Sequence, residues 1–179
     1  VLENIYNETL GNWNLYLFDG FGSYDPDIIY NRCEYLALGL DTKVIFLDHL
    51  SILLSGLEGD ERKMIDKTMT RLRSLVERTG ISLFLVSHLR RSNNDRTAHE
   101  EGGKVSLSQL RGSHAIAQLS DQVIALERDQ QSETERDVTT LRIIKNRYSG
   151  ETGFAGKIRY NLSTSRFTEH ETSESPVFN

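Results

Sequence analysis

The chain has 179 residues, a formal net charge of −5, 37% hydrophobic residues and one cysteine, enough for one ordinary core with no Pro/Gly/Ser-rich linker to divide it. Its apolar runs are strand-sized, short of the roughly 20 residues a bilayer-spanning helix needs. Cys33 alone excludes an internal disulfide or a cysteine-rich zinc site and fits a small core residue in a reducing cytoplasm. The first residue is Val1 and no charged-then-apolar leader follows, so the chain is expected to be the tail end of a longer protein. An acidic balance argues against nucleic acid, but the charge is segregated. Arg90, Arg91, Arg96, Lys104 and Arg111 face only Asp95, Glu100 and Glu101 in their stretch, while Glu169, Glu171 and Glu174 crowd the end.

Along the chain, Asn14–Phe18 (NLYLF) predicts a short strand ending at Asp19–Gly20. Asp25 reads as an N-cap with Pro26 at the first helical position. Ile28, Ile29, Arg32, Cys33, Leu36 and Ala37 carry the helical pattern to Gly39, a suitable stop. Val44–Leu47 is strand-like. Asp60 and Glu61 open a second helix in which Ile65, Met69, Leu72 and Val76 form one apolar stripe, closed by Thr79–Gly80. Ile81–Ser87 is again strand-like. Strand and helix alternate, which implies right-handed crossovers and a parallel sheet buried on both faces. A polar loop from about Arg90 to Lys104 leads to a short helix near Ser113–Leu119. Strands at Gln122–Leu126, Val138–Ile144 and Ala155–Tyr160 follow, and the short Gly- and Ser-rich turn between the last two favours antiparallel hairpins at the sheet's edge. Residues 1–168 form the domain, and 169–179, with little to bury, read as an acidic flexible tail.

Two apolar runs stop abruptly at a polar residue: VIFLD at Asp48 and ISLFLVSH at His88. A parallel sheet brings both to its carboxyl edge, where open α/β sheets bind ligands. A carboxylate that can hold hydrated magnesium beside an imidazole that can sense a phosphate points to nucleotide hydrolysis. A capping aspartate and a structural histidine are the plainer alternatives. In LSQLRGSHAIAQLSD, Arg111, Gly112 and Ser113 offer a cation, a hinge and free backbone N–H groups suited to a phosphate backbone, or simply a loop-to-helix junction. In IIKNRYSGETG, Lys145 and Arg147 occupy alternate positions and share a face. Two such cations can reach across a subunit boundary, where an arginine supplied in trans stabilises a transferring phosphoryl group. A solvated face is the alternative.

Taken together, these segments resemble the hexameric replicative helicases of the RecA-like class. They are especially similar to the helicase half of the primase–helicases of T-odd-type phages and their mitochondrial relative, with the bacterial DnaB helicases more distant. The likeness runs from about Leu15 to Thr168 through VIFLDHLSILLS, DERKMIDKTMTRL, SHLRR, AHEEGG, LRGSHAIAQLSD, IALERDQQ and IIKNRYSGETGFAG, in that order.

The resemblance implies a RecA-like P-loop NTPase core, truncated here, with a mostly parallel sheet flanked by helices and antiparallel C-terminal edge hairpins. It implies that Asp48 helps hold Mg2+ through water and that His88 senses the terminal phosphate. The loop from Arg90, with Arg91 and Arg96, and the Arg111–Gly112 loop correspond to the two DNA-binding loops, with Gln118 behind the second. Arg147 corresponds to the finger offered to a neighbour's nucleotide, with Lys145 beside it, and Arg128 and Tyr160 to the pair that sandwich the base. The implied cofactors are Mg2+ and ATP or another NTP or dNTP. The implied partners are single-stranded DNA, five further copies in a homo-hexameric ring and, through the acidic tail, the replicative DNA polymerase. No membrane is implied; the setting is the cytoplasm, the host's if the protein is phage-encoded.

His114 stands where the family has a second small residue, and Ala117 where its phage members have arginine. The chain also has no G-x-x-x-x-G-K-[ST] loop, nor the family's catalytic glutamate that follows it, and both are expected upstream of Val1. Another RecA-like ATPase of the recombinase type, or a non-catalytic DNA-binding or assembly module, are the other readings. The DHLS and SHLRR runs favour the helicase.

Overall fold

The computed structural model describes residues 11, 14–18, 20, 24–50, 60–89, 98–110 and 114–177. Helix α1 spans Pro26–Gly39; the Asp25 carboxylate accepts from Asp27 N, and proline opens the first turn. Its Ile29, Cys33 and Ala37, four residues apart, are buried on one face. Burial pushes the Cys33 thiol up to about 11, so it is an inert core residue.

Strand β1 (Val44–Leu47) pairs in parallel with β2 (Ser82–Leu85), Val44 opposite Ser82 and Leu47 opposite Leu85. Helix α2 (Glu61–Thr79) lies between them in sequence. Asp60 caps its start by accepting from Arg62 N and Lys63 N, and Gly80, at φ 71°, closes it in the left-handed conformation that glycine adopts without a Cβ penalty. Of the predicted stripe, Ile65, Met69 and Leu72 are buried and Val76 is partly buried, and Leu75 and Thr68 join it. Thr68 is tolerated there because its hydroxyl donates to Met64 O at 2.7 Å. Helix α1 is tied to α2 by Arg71–Asp27 and Arg78–Glu34 ion pairs and by the Arg71 guanidinium over Tyr30, at 4.1 Å from the ring centre.

After a 3-10 turn at Leu107–Gln109, helix α3 (His114–Leu119) sends Ile116 into the core formed by α1, α2, β1 and β2. Strands β3 (Gln122–Glu127), β4 (Val138–Asn146), β5 (Gly153–Asn161) and β6 (Arg166–Glu169) make a four-stranded antiparallel sheet in that order. Glu127, buried on β3, accepts from Val105 N at 2.8 Å and from Arg142 Nε at 3.0 Å. This pair pins the segment before α3 onto the sheet, and its hydrogen bonds offset the desolvation of both charges.

Four expectations are corrected in detail. The strand at Asn14–Phe18 is not formed: residues 14–18 have no ladder partner among the described residues, and Phe18 instead packs edge-on to Tyr24 with Arg32 4.0 Å over its ring. A strand-like composition does not make a strand by itself, because strand propensity depends on the neighbours a run packs against. The β1–β2 pair is buried on one face, not two. Ile45 and Leu47 point into the core, while Val44, Phe46, Phe84 and Val86 stay exposed and the two phenylalanine rings stack at 4.8 Å, because no described element covers them. The antiparallel strands form a sheet of their own, with no ladder between β2 and β3 among the described residues. Side chains and α3 make the join instead. Finally, β6 was not foreseen, and the 168/169 boundary falls inside it; beyond it His170 N and Val177 N donate to Lys157 O and Phe154 O of β5.

Leu72→Ala is expected to lower the unfolding free energy by about 2–5 kcal/mol, the usual range for a buried leucine. Leu38→Ala, at a 62% exposed position, should stay within about 0.5 kcal/mol. Urea denaturation of both variants checks this; equal losses would mean the exposed face of α1 is covered.

Candidate functional site

The parallel pair carries its functional residues just past the strand ends. Val86 N donates to Leu47 O at 3.0 Å and Leu50 N to Val86 O at 3.2 Å, so the two chains stay laced together beyond β1 and β2. Asp48, His49 and His88 therefore share one edge, and the imidazoles of His49 and His88 lie 3.9 Å apart, tilted by 31°. The Asp48 carboxylate is exposed. No cluster of three or more His, Cys, Asp or Glu occurs among the described residues. One solvent-facing carboxylate does not form a protein cage for a metal. It does suit magnesium, which keeps most of its waters and takes one or two carboxylates beside substrate phosphates.

Directly after His88, Leu89 makes an antiparallel bridge to Leu110. Leu110 precedes Arg111, and Leu89 precedes Arg90. The expected DNA-contacting residues Arg90, Arg91, Arg96, Arg111 and Gly112 lie outside the described residues. Their two stretches nevertheless start from one bridged point beside His88.

Lys145 and Arg147 meet at the end of α3. Lys145 Nζ donates to Ala117 O at 2.6 Å and to Gln118 O at 3.0 Å, and Arg147 Nη2 donates to Gln118 O at 2.9 Å. Arg147 Nη1 also pairs with Asp121 Oδ1 at 3.3 Å, and its backbone N–H donates to Asp121 O. Arg73 of α2 takes the other Asp121 oxygen. Partial burial, and then the neighbouring Arg147, holds Lys145 below the usual lysine pKa, against the pull of Asp121. Gln118 contributes its carbonyl here, and Ala117 likewise. Sequence reasoning singled out both cations but missed Asp121, Arg73 and His49. The only sequence signal for Asp121 was its place after α3.

Arg128 follows β3 and is exposed. Tyr160 is on β5, its ring 5.0 Å from Phe167. The register places Glu127 opposite Thr140 and Thr140 opposite Lys157, so β4 stands between the two residues. The register puts them at the same end of the sheet, one strand apart. Tyr160 lines a cleft of about 440 Å³ with Glu133, Arg136, Asp137, Arg159 and Asn161, and Arg128 does not.

Residues 3–169 match the family model of the DnaB-like helicase C-terminal domain. The chain belongs to that family. It is 42% identical over 160 residues to the DNA helicase/primase of Enterobacteria phage T3, which covers 89% of this chain and 28% of the phage protein. The chain thus spans little more than a quarter of that relative. Among solved structures it is similar to a DnaB-like replicative helicase described with its interactions with primase, at a TM-score of 0.73 and 17% identity over 94% of this chain and 40% of that one. A KaiC-like protein from Pyrococcus horikoshii OT3 matches at a TM-score of 0.56 and 14% identity, over 83% of this chain and 58% of that one. These two likenesses establish a RecA-type α/β fold. No helix among the described residues is long and apolar enough to cross a membrane.

The ring contact predicts that His49→Ala shifts the Cε1 proton resonance of His88 in an NMR spectrum, while Glu127→Gln, on the other sheet, leaves it in place. An unmoved His88 signal in His49→Ala would show that the two rings do not stack in solution.

Proposed function

We propose that this chain is the C-terminal motor segment of a phage-type replicative DNA helicase, coupling NTP hydrolysis to movement on single-stranded DNA and duplex unwinding. The observation that carries the reading is that Asp48 and His88 follow paired parallel strands at one edge, beside the Leu89–Leu110 bridge that precedes both basic stretches in sequence. The similarity to a phage helicase/primase supports it.

In the complete protein, nucleotide (ATP or another NTP or dNTP) binds between subunits of a homo-hexameric ring. Asp48 holds hydrated Mg2+ at the phosphate chain. When bound, that ion neutralises charge on the phosphates. His88 hydrogen-bonds the terminal phosphate, and its neighbour Leu89 passes any displacement through Leu110 to the loops at Arg90, Arg91, Arg96 and Arg111–Gly112, which grip DNA. Arg147, with Lys145, approaches from the adjacent subunit and stabilises charge on the transferring phosphoryl group. Arg128 and Tyr160 bracket the base. The acidic C-terminal residues dock the replicative polymerase. The 179 residues contain no phosphate-binding loop, so this segment by itself does not turn nucleotide over.

In the full-length protein, Arg147→Ala is expected to abolish DNA-stimulated hydrolysis while nucleotide binding persists; normal turnover would remove the finger role. Arg111→Ala should weaken single-strand binding and flatten the slope of log K against log salt by about 1. An unchanged slope takes Arg111 off the DNA path. DNA binding without any hydrolysis by the full-length protein would leave a non-catalytic DNA-binding module as the better reading.

A further inference from the structure

We propose that Asp121 is a positioning residue that parks Arg147 on its own subunit, so that Arg147 either caps α3 or reaches a neighbour's phosphate, but not both. This rests on the reading of Arg147 as a residue that acts in trans.

The geometry begins with α3, only six residues long. The last carbonyls of a helix have no partners within it and attract cations. Here Ala117 O and Gln118 O are taken by Lys145 and Arg147. Those two side chains therefore hold the end of the helix whose beginning, His114, directly follows Arg111–Ser113. Asp121 fixes the arrangement. It is three-quarters buried, one oxygen faces Arg147, the other faces Arg73, and Arg73 is itself held at 2.9 Å by Glu77 of α2. Asp121 is thus anchored to the core helix and presents a fixed carboxylate to a guanidinium that is 46% exposed.

Two features make the parked state reversible. The Arg147 side of the pair with Asp121 is nearly half in solvent, which screens and weakens such pairs. The site also has an excess of cations, with Arg73, Lys145 and Arg147 around Asp121 and, at Arg73 only, Glu77. A further anion is therefore attracted to it, and it competes with Asp121 for Arg147. Both Nη atoms of Arg147 are engaged within the chain, one on Asp121 and one on Gln118 O. Engaging a phosphate across a subunit boundary with these atoms releases both contacts and leaves Ala117 O and Gln118 O to Lys145 alone.

The test uses the full-length protein and Asp121→Asn, which keeps shape and one acceptor oxygen but removes the charge. Hydrolysis without DNA should rise several-fold, and the ratio of DNA-stimulated to DNA-independent hydrolysis should fall, with Asp121→Glu restoring part of the ratio. An unchanged ratio, or both rates falling together, overturns the proposal, since a merely structural carboxylate gives the latter. If Asp121→Asn fails to fold, hydrogen exchange of wild type decides. A non-hydrolysable triphosphate with Mg2+ should speed exchange of the amides at 118–122, and unchanged exchange overturns the proposal. Arg147→Ala with normal DNA-stimulated turnover would instead sink the finger reading itself, whatever Asp121→Asn shows.

Discussion

Asp121 receives a guanidinium from each side, Arg73 from α2 and Arg147 from the end of β4. The parallel pair with its helices and the antiparallel sheet share no strand ladder among the described residues. What otherwise joins them is the apolar packing of Ile116, Leu110 and Leu119 against the α1–α2 core. Apolar burial is strong but non-directional. It holds α3 against α2 without dictating which way β3 and β4 leave. The carboxylate adds the missing direction: it stands one residue before β3, and Arg147 stands one residue after β4, so the pair fixes both strand ends against α2 at once. The Glu127–Arg142–Val105 cluster, deeper and less exposed, ties the segment before α3 to the sheet instead.

The elements legible in the sequence are those with local causes. Asp25–Pro26, Asp60 and Gly80 mark helix ends because capping chemistry is a matter of neighbouring residues, and each acts where its pattern places it. The parallel pairing of β1 with β2, which brings the residues after both strands to one edge, was legible because a strand–helix–strand unit leaves topology little choice. What the sequence did not disclose depends on partners distant along the chain. Asn14–Phe18 has strand-like composition yet joins no ladder among the described residues. Arg166–Glu169 has weak composition and becomes β6 because β5 offers a free edge. Lys145 and Arg147 were legible as cations sharing a direction; that they close on the carbonyls of α3 depends on where a six-residue helix ends in space. Arg128 and Tyr160 were paired by resemblance, and β4 standing between them is a matter of strand order.

The exposed stack of Phe46 and Phe84 has a related meaning. Period-two alternation makes Ile45 and Leu47 face the core, and Val44 and Phe46 must then face the other way. Aromatic residues fit a strand with a second covered face better than one in water. The sequence of β1 and β2 is that of a two-sided sheet, whereas the described residues cover one side. The chain's match to only 28% of the phage protein is in keeping with this imbalance.

The stretch 111–113 lies in sequence between two anchors of different kinds. On one side Leu110 is bridged to Leu89, the residue after His88. On the other side α3 is capped at its far end by Lys145 and Arg147. On the proposed reading, the first anchor responds to the phosphate held by this subunit and the second to the phosphate held by the next. A loop controlled from only one side would report one nucleotide. A loop strung between both registers whether its own and the adjoining site are in the same state, which is the comparison a ring must make if its subunits are to fire in order rather than at random. That comparison needs each anchor to release in turn: on one side stands a single two-residue bridge, on the other an Arg147 guanidinium that is 46% exposed.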